Sequence, residues 1–304
     1  MEEAKQSYVV VGIGEALWDI YRHGRHLGGT PANVVIHACQ LGEHGVLVSR
    51  VGSDVMGREL LTGLSRRQVP VRYVQVDDVH ITGNVMISLD VKGVPSFRCS
   101  HDVAFDYLRH DDQHPALAAS ADAVLFSTLG LRSAVARQAI YQFLRAAQRA
   151  LKIVDVNTLP LPDEFRSRIL ESLAFADVFK TNIADLQALR IALHREKETI
   201  RRFAEYLIKK YSLKLVAVTL GESGCELFDG ARTVKVPGLP VRVIDTTGAG
   251  DAFSAGMIYK YLRGAALEEI AEFANLLGAY VSTNAGATPV FSPASVEAFK
   301  EALT

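Results

Sequence analysis

The chain has 304 residues, 49% of them hydrophobic, enough to bury one large α/β core or two small ones. Lys plus Arg total 33 against 34 Asp plus Glu, which excludes the basic field that nucleic acid or anionic lipid requires and points to a small-molecule partner. Cys39, Cys99 and Cys225 lie far apart with no CxxC pair, which excludes a disulfide framework and a Cys-based zinc site and suits a reducing cytoplasm.

The N-terminal stretch carries Glu2 and Glu3 ahead of an apolar run too short for a signal peptide. Val9 to Ile13 reads as the buried first strand of a parallel sheet, ending in Gly-rich sequence. Thr30 is the expected N-cap and Pro31 the first helical residue of a helix whose apolar positions run through Val34, Val35, Ala38 and Leu41 to Gly42. A strand over 46–51 and a helix over 54–68 follow. Short β-type runs at 84–90 and 96–100, joined by Lys92-Gly93-Val94-Pro95, predict a hairpin that interrupts the alternation. Its apolar Val85, Ile87, Leu89 and Phe97 leave an edge and a face needing cover.

Beyond the hairpin, strands at 122–127, 152–156, 177–180 and 214–219 alternate with helices at 133–150, 163–173 and within 183–210, which implies a parallel sheet with helices on both faces. Ile200, Phe203 and Leu207 fall at helical spacing in a charged stretch, the pattern of a solvated amphipathic helix. A second hairpin near 225–236 precedes Asp245 and two long C-terminal helices. The charge-free stretch 273–296 contains Asn275, Asn284 and Pro289 and reads as a buried helix followed by a turn, so no membrane span is expected. There is no internal repeat, low-complexity tract or Pro/Ser-rich linker. The expectation is one domain over 1–304 with a small β excursion.

Asp245-Thr246-Thr247-Gly248-Ala249-Gly250-Asp251 runs directly into apolar Ala252, Phe253, Ala255, Met257 and Ile258. Glycines there free the backbone to present successive N–H groups, and the helix N-terminus adds the positive end of its dipole, which makes an anion cradle. An acid inside the cradle repels an anion unless it takes a proton from a nucleophile approaching a bound phosphate, which points to phosphoryl transfer. The plainer alternative is a tight turn whose Asp complements the dipole. Gly12-Ile13-Gly14 follows a strand like a dinucleotide fingerprint, but Leu17 stands where the third glycine belongs. Gly52 to Gly57 has the glycine spacing of a Walker loop, but Arg58-Glu59 replaces its Lys-Ser/Thr. No HExxH motif is present to suggest a zinc hydrolase.

The 245–251 segment, through Ala255-Gly256, resembles the C-terminal signature of the ribokinase-like (PfkB) family of carbohydrate kinases. Gly28-Gly29-Thr30-Pro31-Ala32-Asn33, then Gly42 and Gly52, resemble its N-terminal signature, except that Val35 stands where a smaller residue is usual. Gly14-Glu15-Ala16-Leu17-Trp18-Asp19 and Val103-Ala104-Phe105-Asp106-Tyr107 resemble the fructokinase-like branch. The resemblance covers nearly the whole chain. It implies an α/β three-layer sandwich with a mostly parallel central sheet and a small β lid built from about 18–28 and 82–102, and an ATP-dependent sugar kinase.

By the same resemblance Asp251 is the general base and Gly248, Ala249 and Gly250 form the anion hole. Asp19, Gly28, Gly29 and Asn33 bind the sugar, with Arg98 reaching it from the lid. Read alone, Asn33 is an ordinary first-turn helix residue and Asp19 a turn residue. Asn182, Thr219, Gly221, Gly224 and Asn275 line the nucleotide. Asn182-Ile183-Ala184-Asp185 is also, by itself, a capping-box variant. In the family an Asn-x-x-Glu lies there beside the triphosphate and its magnesium waters, and Asp185 is one methylene shorter. A monovalent-cation site, for K+, is implied at Asp245, Thr247, Val281, Asn284 and Gly286. Where fructokinase-like members continue Asp155-Val156-Asn157 with Leu-Arg, this chain has Thr158-Leu159, so Lys180 or Arg98 is left to supply the cation. Lys180 reads equally as a strand-end lysine snorkelling to solvent.

Fructose is the expected acceptor, with a nucleoside or a ketodeoxy sugar acid as the alternative within the family. The absent Arg counts against the sugar acid. A non-catalytic sugar- or nucleotide-binding paralogue is the alternative outside it, and the intact Asp251 counts against that. The remaining expectations are a homodimer formed through the lid, no nucleic acid or membrane partner, and a cytoplasmic location.

Overall fold

A computed structural model describes residues 5–22, 24–89, 95–156 and 165–303. In chain order its strands are β1 (Val9–Ile13), β2 (Leu17–Tyr21), β3 (Gly24–Gly28), β4 (His44–Gly52), β5 (Val74–Asp77), β6 (Gly83–Leu89), β7 (Pro95–Cys99), β8 (Ala123–Ser127), β9 (Leu151–Asp155), β10 (Val178–Asn182), β11 (Leu215–Thr219), β12 (Cys225–Phe228) and β13 (Thr233–Val236). The helices are α1 (Thr30–Gln40), α2 (Val55–Arg66), α3 (His114–Ser120), α4 (Ala134–Ala146), α5 (Phe165–Leu173), α6 (Ile183–Ala192), α7 (Ile200–Tyr211), α8 (Ala249–Tyr261), α9 (Leu267–Ser282) and α10 (Pro293–Glu301).

Nine strands form one sheet in the order β13-β12-β11-β10-β9-β8-β1-β4-β5. From β11 to β5 every pairing is parallel, and only β12 and β13 turn back antiparallel. Successive strand residues point to opposite faces, so Val124 and Phe126 of β8 pack with α4 and α7 while Ala123 and Leu125 pack with α1, α8 and α9. Both faces being covered at the centre of the sheet, β1, β8 and β11 are almost wholly apolar, whereas the edge strand β13 alternates. These are the three layers that the alternating elements imply. On α7 the buried residues are Phe203, Ala204 and Leu207, as an amphipathic helix requires.

A second sheet of four strands has the order β3-β2-β6-β7, with β2 and β6 parallel and both outer pairs antiparallel. Val85 is buried against Leu17, Cys99, Val103, Phe105 and Leu129. The apolar face expected to need cover is therefore covered within the chain at that point, and Met86, on the opposite side of β6, is the exposed residue. Residues 90–94, where the turn is expected, lie outside the described residues.

Several expectations shift at element ends. Gly29, not Thr30, is the N-cap of α1. Thr30 cannot fold back to cap because its N–H goes to Glu15 and its hydroxyl to Asp251. α4 stops at Ala146 rather than near 150. β5, α3, α10 and the strand character of β2 and β3 are too short or too polar to read from periodicity. No helix among the described residues is long and apolar enough to cross a membrane.

The glycine spacing at 52–57 serves packing. Asp54 caps α2 by accepting from the Gly57 N–H at 2.7 Å and from Thr82 N and Oγ1 at 2.8 Å each. A Cβ on Gly57 would lie 1.9 Å from the Gly52 carbonyl oxygen and 2.8 Å from Thr82 Oγ1. Backbone cannot yield cheaply there, so Gly57→Ala is expected to lower stability by about 2 kcal/mol or more despite alanine's better helix propensity. Urea denaturation checks this, and a neutral or stabilising result would show that α2 does not sit on β4 as described.

Candidate active site

The polar residues gather where the parallel strands end. Glu15 follows β1, and Ser127, Asp155, Asn182 and Thr219 close β8, β9, β10 and β11. That is the edge at which doubly wound sheets take ligands.

Gly248 is the N-cap of α8, with φ 76°. A Cβ there would lie 2.4 Å from the Ala287 carbonyl oxygen, so position 248 needs glycine on both conformational and steric grounds. The Ala249 N–H turns back onto the Thr246 carbonyl at 3.2 Å, and the first helical bond runs from Ala252 to Gly248. Gly250 and Asp251 thus lie in the first turn, where N–H groups have no intrahelical acceptor.

Asp251, partly open to solvent, accepts through Oδ2 from Asn33 Nδ2 at 2.7 Å, and the Thr30 hydroxyl bonds to it as well. Crowding by protein pushes its pKa up to about 6; the charge of Asp155 adds to the rise, and Lys180, Asn33 and Thr30 oppose it. A carboxyl poised there is suited to accept a proton near neutral pH.

Lys180 does not snorkel. It is buried on β10 with Nζ 3.0 Å from both Asp155 oxygens, and Ser254 Oγ lies 2.9 Å from Asp155 Oδ2 and 3.1 Å from the Gly250 carbonyl oxygen, either of which can accept its proton. Burial raises the Asp155 pKa, with Lys180 and Ser254 opposing. A Cβ on Gly250 would lie 3.0 Å from Lys180 Nζ, so the ammonium abuts the proposed anion hole. Residues 157–159, which include the departure at Thr158, lie outside the described residues.

Asp19 is buried on β2, its pKa pushed up to about 7 by burial and by the charges of Asp251 and Asp245. Gly28 is opposite Leu17 on β3, and a Cβ there would meet the Asp19 carboxylate at 2.3 Å. Gly29 has φ 99°, and its Cβ would meet the Glu15 carbonyl oxygen at 2.5 Å. Asn33 Oδ1 is buried with no hydrogen-bond partner among the described residues, which leaves an acceptor free. Arg98 stands exposed on β7 opposite Met86 and makes none of the contacts described for Asp19, Asn33 or Asp251.

The residues implied in cation binding are drawn together by one acid. Asp245 accepts from the Thr247 N–H at 2.9 Å and the Gly286 N–H at 3.0 Å, while the Asn284 N–H bonds the Val281 carbonyl at 3.0 Å. No Lys or Arg pairs with Asp245 among the described residues, and its carboxylate is held by these two backbone N–H groups. The small sheet closes on this loop: Tyr21 Oη donates to Thr247 Oγ1 at 2.8 Å, and the His26 ring lies where a Cβ on Gly286 would be.

At the end of β10, Asn182 caps α6. Its Oδ1 accepts from the Asp185 N–H at 2.9 Å, and its Nδ2 donates to Asp185 Oδ2 at 2.6 Å. Asp185 is buried with one oxygen so engaged. Thr219 Oγ1 reaches the Thr181 carbonyl at 3.5 Å, and Gly221 and Gly224, φ 60° and 94°, form the turn into β12. Asn275 Nδ2 donates to the Pro237 carbonyl at 3.0 Å, which pins the strand-to-loop exit to α9. His110 and His114, four residues apart, meet ring to ring, and no group of three metal-binding side chains occurs among the described residues.

The pfkB family carbohydrate kinase model matches residues 19–294, which takes in most of the small sheet, the α1 signature and the 245–251 loop. The chain belongs to the pfkB family of carbohydrate kinases. An uncharacterized sugar kinase from Pyrococcus horikoshii is 32% identical to it over 280 residues, 89% of this chain and 85% of the relative. That protein's crystal structure superposes with a TM-score of 0.81, covering 97% of this chain and 98% of the other, and it has also been seen in complex with ATP. A fructokinase of Klebsiella pneumoniae is 29% identical over 257 residues, 81% of this chain and 82% of the relative. As a pfkB member the protein is a phosphotransferase acting on a sugar hydroxyl.

Four residues of this pfkB site escape sequence reasoning. Glu15, Thr30 and Ser254 sit in motifs or a helix whose other residues draw the eye, Tyr21 ends a strand, and only their through-space partners reveal them. For the Lys180–Asp155 pair, removing the cation leaves a buried carboxylate alone. Lys180→Met is therefore expected to cost about 3 kcal/mol, most of it regained when Asp155→Asn is added. Denaturant titration of the single and double variants checks this; an undisturbed K180M protein would show that the pair is not buried together.

Proposed function

We propose that the protein transfers the γ-phosphoryl group of Mg-ATP to a hydroxymethyl group of a free sugar, fructose being the favoured acceptor. One observation carries the reading: the Asp251 carboxyl, held by Asn33, stands in the first turn of α8, beside Gly250 and the Lys180 ammonium. An acid beside an anion site is unfavourable for binding alone and useful for removing a proton from the attacking hydroxyl. In the proposed step Asp251 takes that proton, the sugar oxygen bonds to the γ-phosphorus, and ADP leaves.

Gly248, Ala249 and Gly250 receive the charge on the transferred group. Since the Ala249 N–H is already bonded to Thr246, the greater share falls to its neighbours and to Lys180. Asp19, Asn33 and the backbone at Gly28 and Gly29 hold sugar hydroxyls, and Arg98 comes over them if the small sheet closes further as a lid. Asn182, Thr219, Gly221, Gly224 and Asn275 line the nucleotide. Asp185 would approach the magnesium that accompanies ATP through water, and that ion would supply charge neutralisation at the phosphates. A potassium ion held by Asp245, Thr247 and the carbonyls near Val281, Asn284 and Gly286 would add positive charge behind the anion hole. The fructokinase and the ATP-complexed sugar kinase among the relatives support the acceptor class and the donor. Exposed Val79, Ile81 and Met86 on and beside the small sheet favour a homodimer there, and three free thiols suit a cytoplasmic location.

Asp251→Asn is expected to lower kcat by about 10²- to 10⁴-fold with the KM for ATP little changed, as for loss of a general base. Full turnover by D251N would sink the assignment. Because the pKa values of Asp251 and Asp19 are raised to about 6 and about 7, the ionised base is present above that range. The kcat/KM profile should fall as pH drops through it, whereas a plateau down to pH 5 would mean that an unperturbed carboxylate does the work. An acceptor panel read by ADP release, with and without potassium, should give fructose the highest kcat/KM. A nucleoside or sugar acid ahead of fructose replaces the substrate assignment, and no acceptor-dependent release at all favours a non-catalytic paralogue.

A further inference from the structure

Glu15 lies between β1 and β2, and the proposed chemistry gives it no task. It is fully buried, and no Lys or Arg pairs with it among the described residues. A buried carboxyl without a cation is costly unless hydrogen bonds satisfy it. Here Ser127 Oγ lies 2.8 Å and 2.7 Å from its two oxygens, and the Thr30 N–H donates to Oε1 at 3.2 Å. Ser127 is held in turn by the Gly130 N–H at 3.2 Å. The space is made by glycine: a Cβ on Gly130 would come 3.1 Å from Glu15 Oε2, and one on Gly29 would strike the Glu15 carbonyl.

Thr30 connects this cluster to Asp251. It is the first residue of α1, where an N–H has no acceptor within the helix, and Glu15 provides one. With its backbone fixed there, its hydroxyl bonds Asp251, while Asn33, one turn on, bonds Asp251 Oδ2. The carboxylate is thus gripped by two side chains of one helix, and the helix start is anchored by Glu15.

We infer that Glu15 is a positioning residue for the base: it holds Thr30 in place, and the Thr30 hydroxyl sets how the Asp251 carboxylate faces the acceptor hydroxyl. This rests on Asp251 acting as the base. Misplacing a reacting group by a fraction of an ångström costs rate more than binding, so the signature is a loss in kcat with ATP affinity kept.

The test compares Glu15→Leu, Glu15→Gln, Thr30→Val and the E15L/T30V double variant with D251N, all full length. E15L keeps volume but offers Thr30 no acceptor, and its kcat should fall 10- to 100-fold with the KM for ATP within twofold. E15Q keeps a carbonyl oxygen for the Thr30 N–H and should recover at least tenfold over E15L. T30V should show a loss like that of E15L, and the double variant should be no worse than about threefold below either single, because both remove one connected path. Should E15L fail to fold, T30V against Thr30→Ser, which restores the hydroxyl, decides the matter by the same kcat criterion. The inference is overturned if E15L keeps kcat within threefold of the parent, if E15L and E15Q are equal, or if the E15L and T30V losses multiply. An active D251N overturns the base assignment itself, whereas an inactive D251N beside a fully active E15L overturns only the role of Glu15.

Discussion

The carboxylate of Asp251 and the amide of Asn33 meet at 2.7 Å, and through that bond the N-terminal ends of α8 and α1 are held against each other. The first turn of each helix presents N–H groups with no intrahelical acceptor, so the junction is rich in donors and favours negative charge. An acid placed inside it is partly neutralised by the helix ends yet raised in pKa by crowding. The rest of the site keeps that balance: Lys180 and Asp155 lie beneath Gly250, Glu15 lies behind Thr30, and Asp245 joins the loops at Thr247 and Gly286.

Backbone proximity makes the junction possible. Gly12 lets α1 sit on β1, where a Cβ would lie 2.4 Å from the Pro31 carbonyl, and Gly248 admits Ala287 equally closely. Side chains at either place would move a helix start by more than a hydrogen bond tolerates. His37 adds to the fit from within α1: its Nε2 lies 3.1 Å from the Ala287 carbonyl, and burial brings its pKa down to about 4, so it is neutral at ordinary pH. Asn33, His37 and Gln40 therefore bond in turn to Asp251, Ala287 and the Phe291 N–H, a polar stripe along an otherwise apolar helix.

The gathering of acids has an energetic cost. Asp19, Glu15 and Asp251 all have raised pKa values, first through crowding by protein; the charge of Asp251 adds to the rise at Asp19 and Glu15, and that of Asp155 to the rise at Asp251. Such an arrangement lowers stability and is kept where chemistry needs it. The extended apolar sheet, covered on both faces, offsets that cost.

The sequence by itself determined the fold class, since apolar strand runs alternating with helical patterns leave few arrangements besides a parallel sheet covered on both sides. It also determined the anion cradle with an acid inside it, because glycines before an apolar helix are a local matter, and two separated motifs together were enough for the family. Tertiary structure alone decided which residues touch. Lys180 turned from a plausible snorkelling lysine into a buried ion pair because Asp155 lies beside it on β9, a strand 25 residues earlier. Thr30 turned from a cap into a bridge because Glu15 and Asp251 approach it from opposite ends of the chain. The exposed apolar face foreseen at Val85 closed on Phe105 and Leu129. Periodicity encodes which face of an element is apolar, but not which distant element will cover it or which polar group will be waiting there.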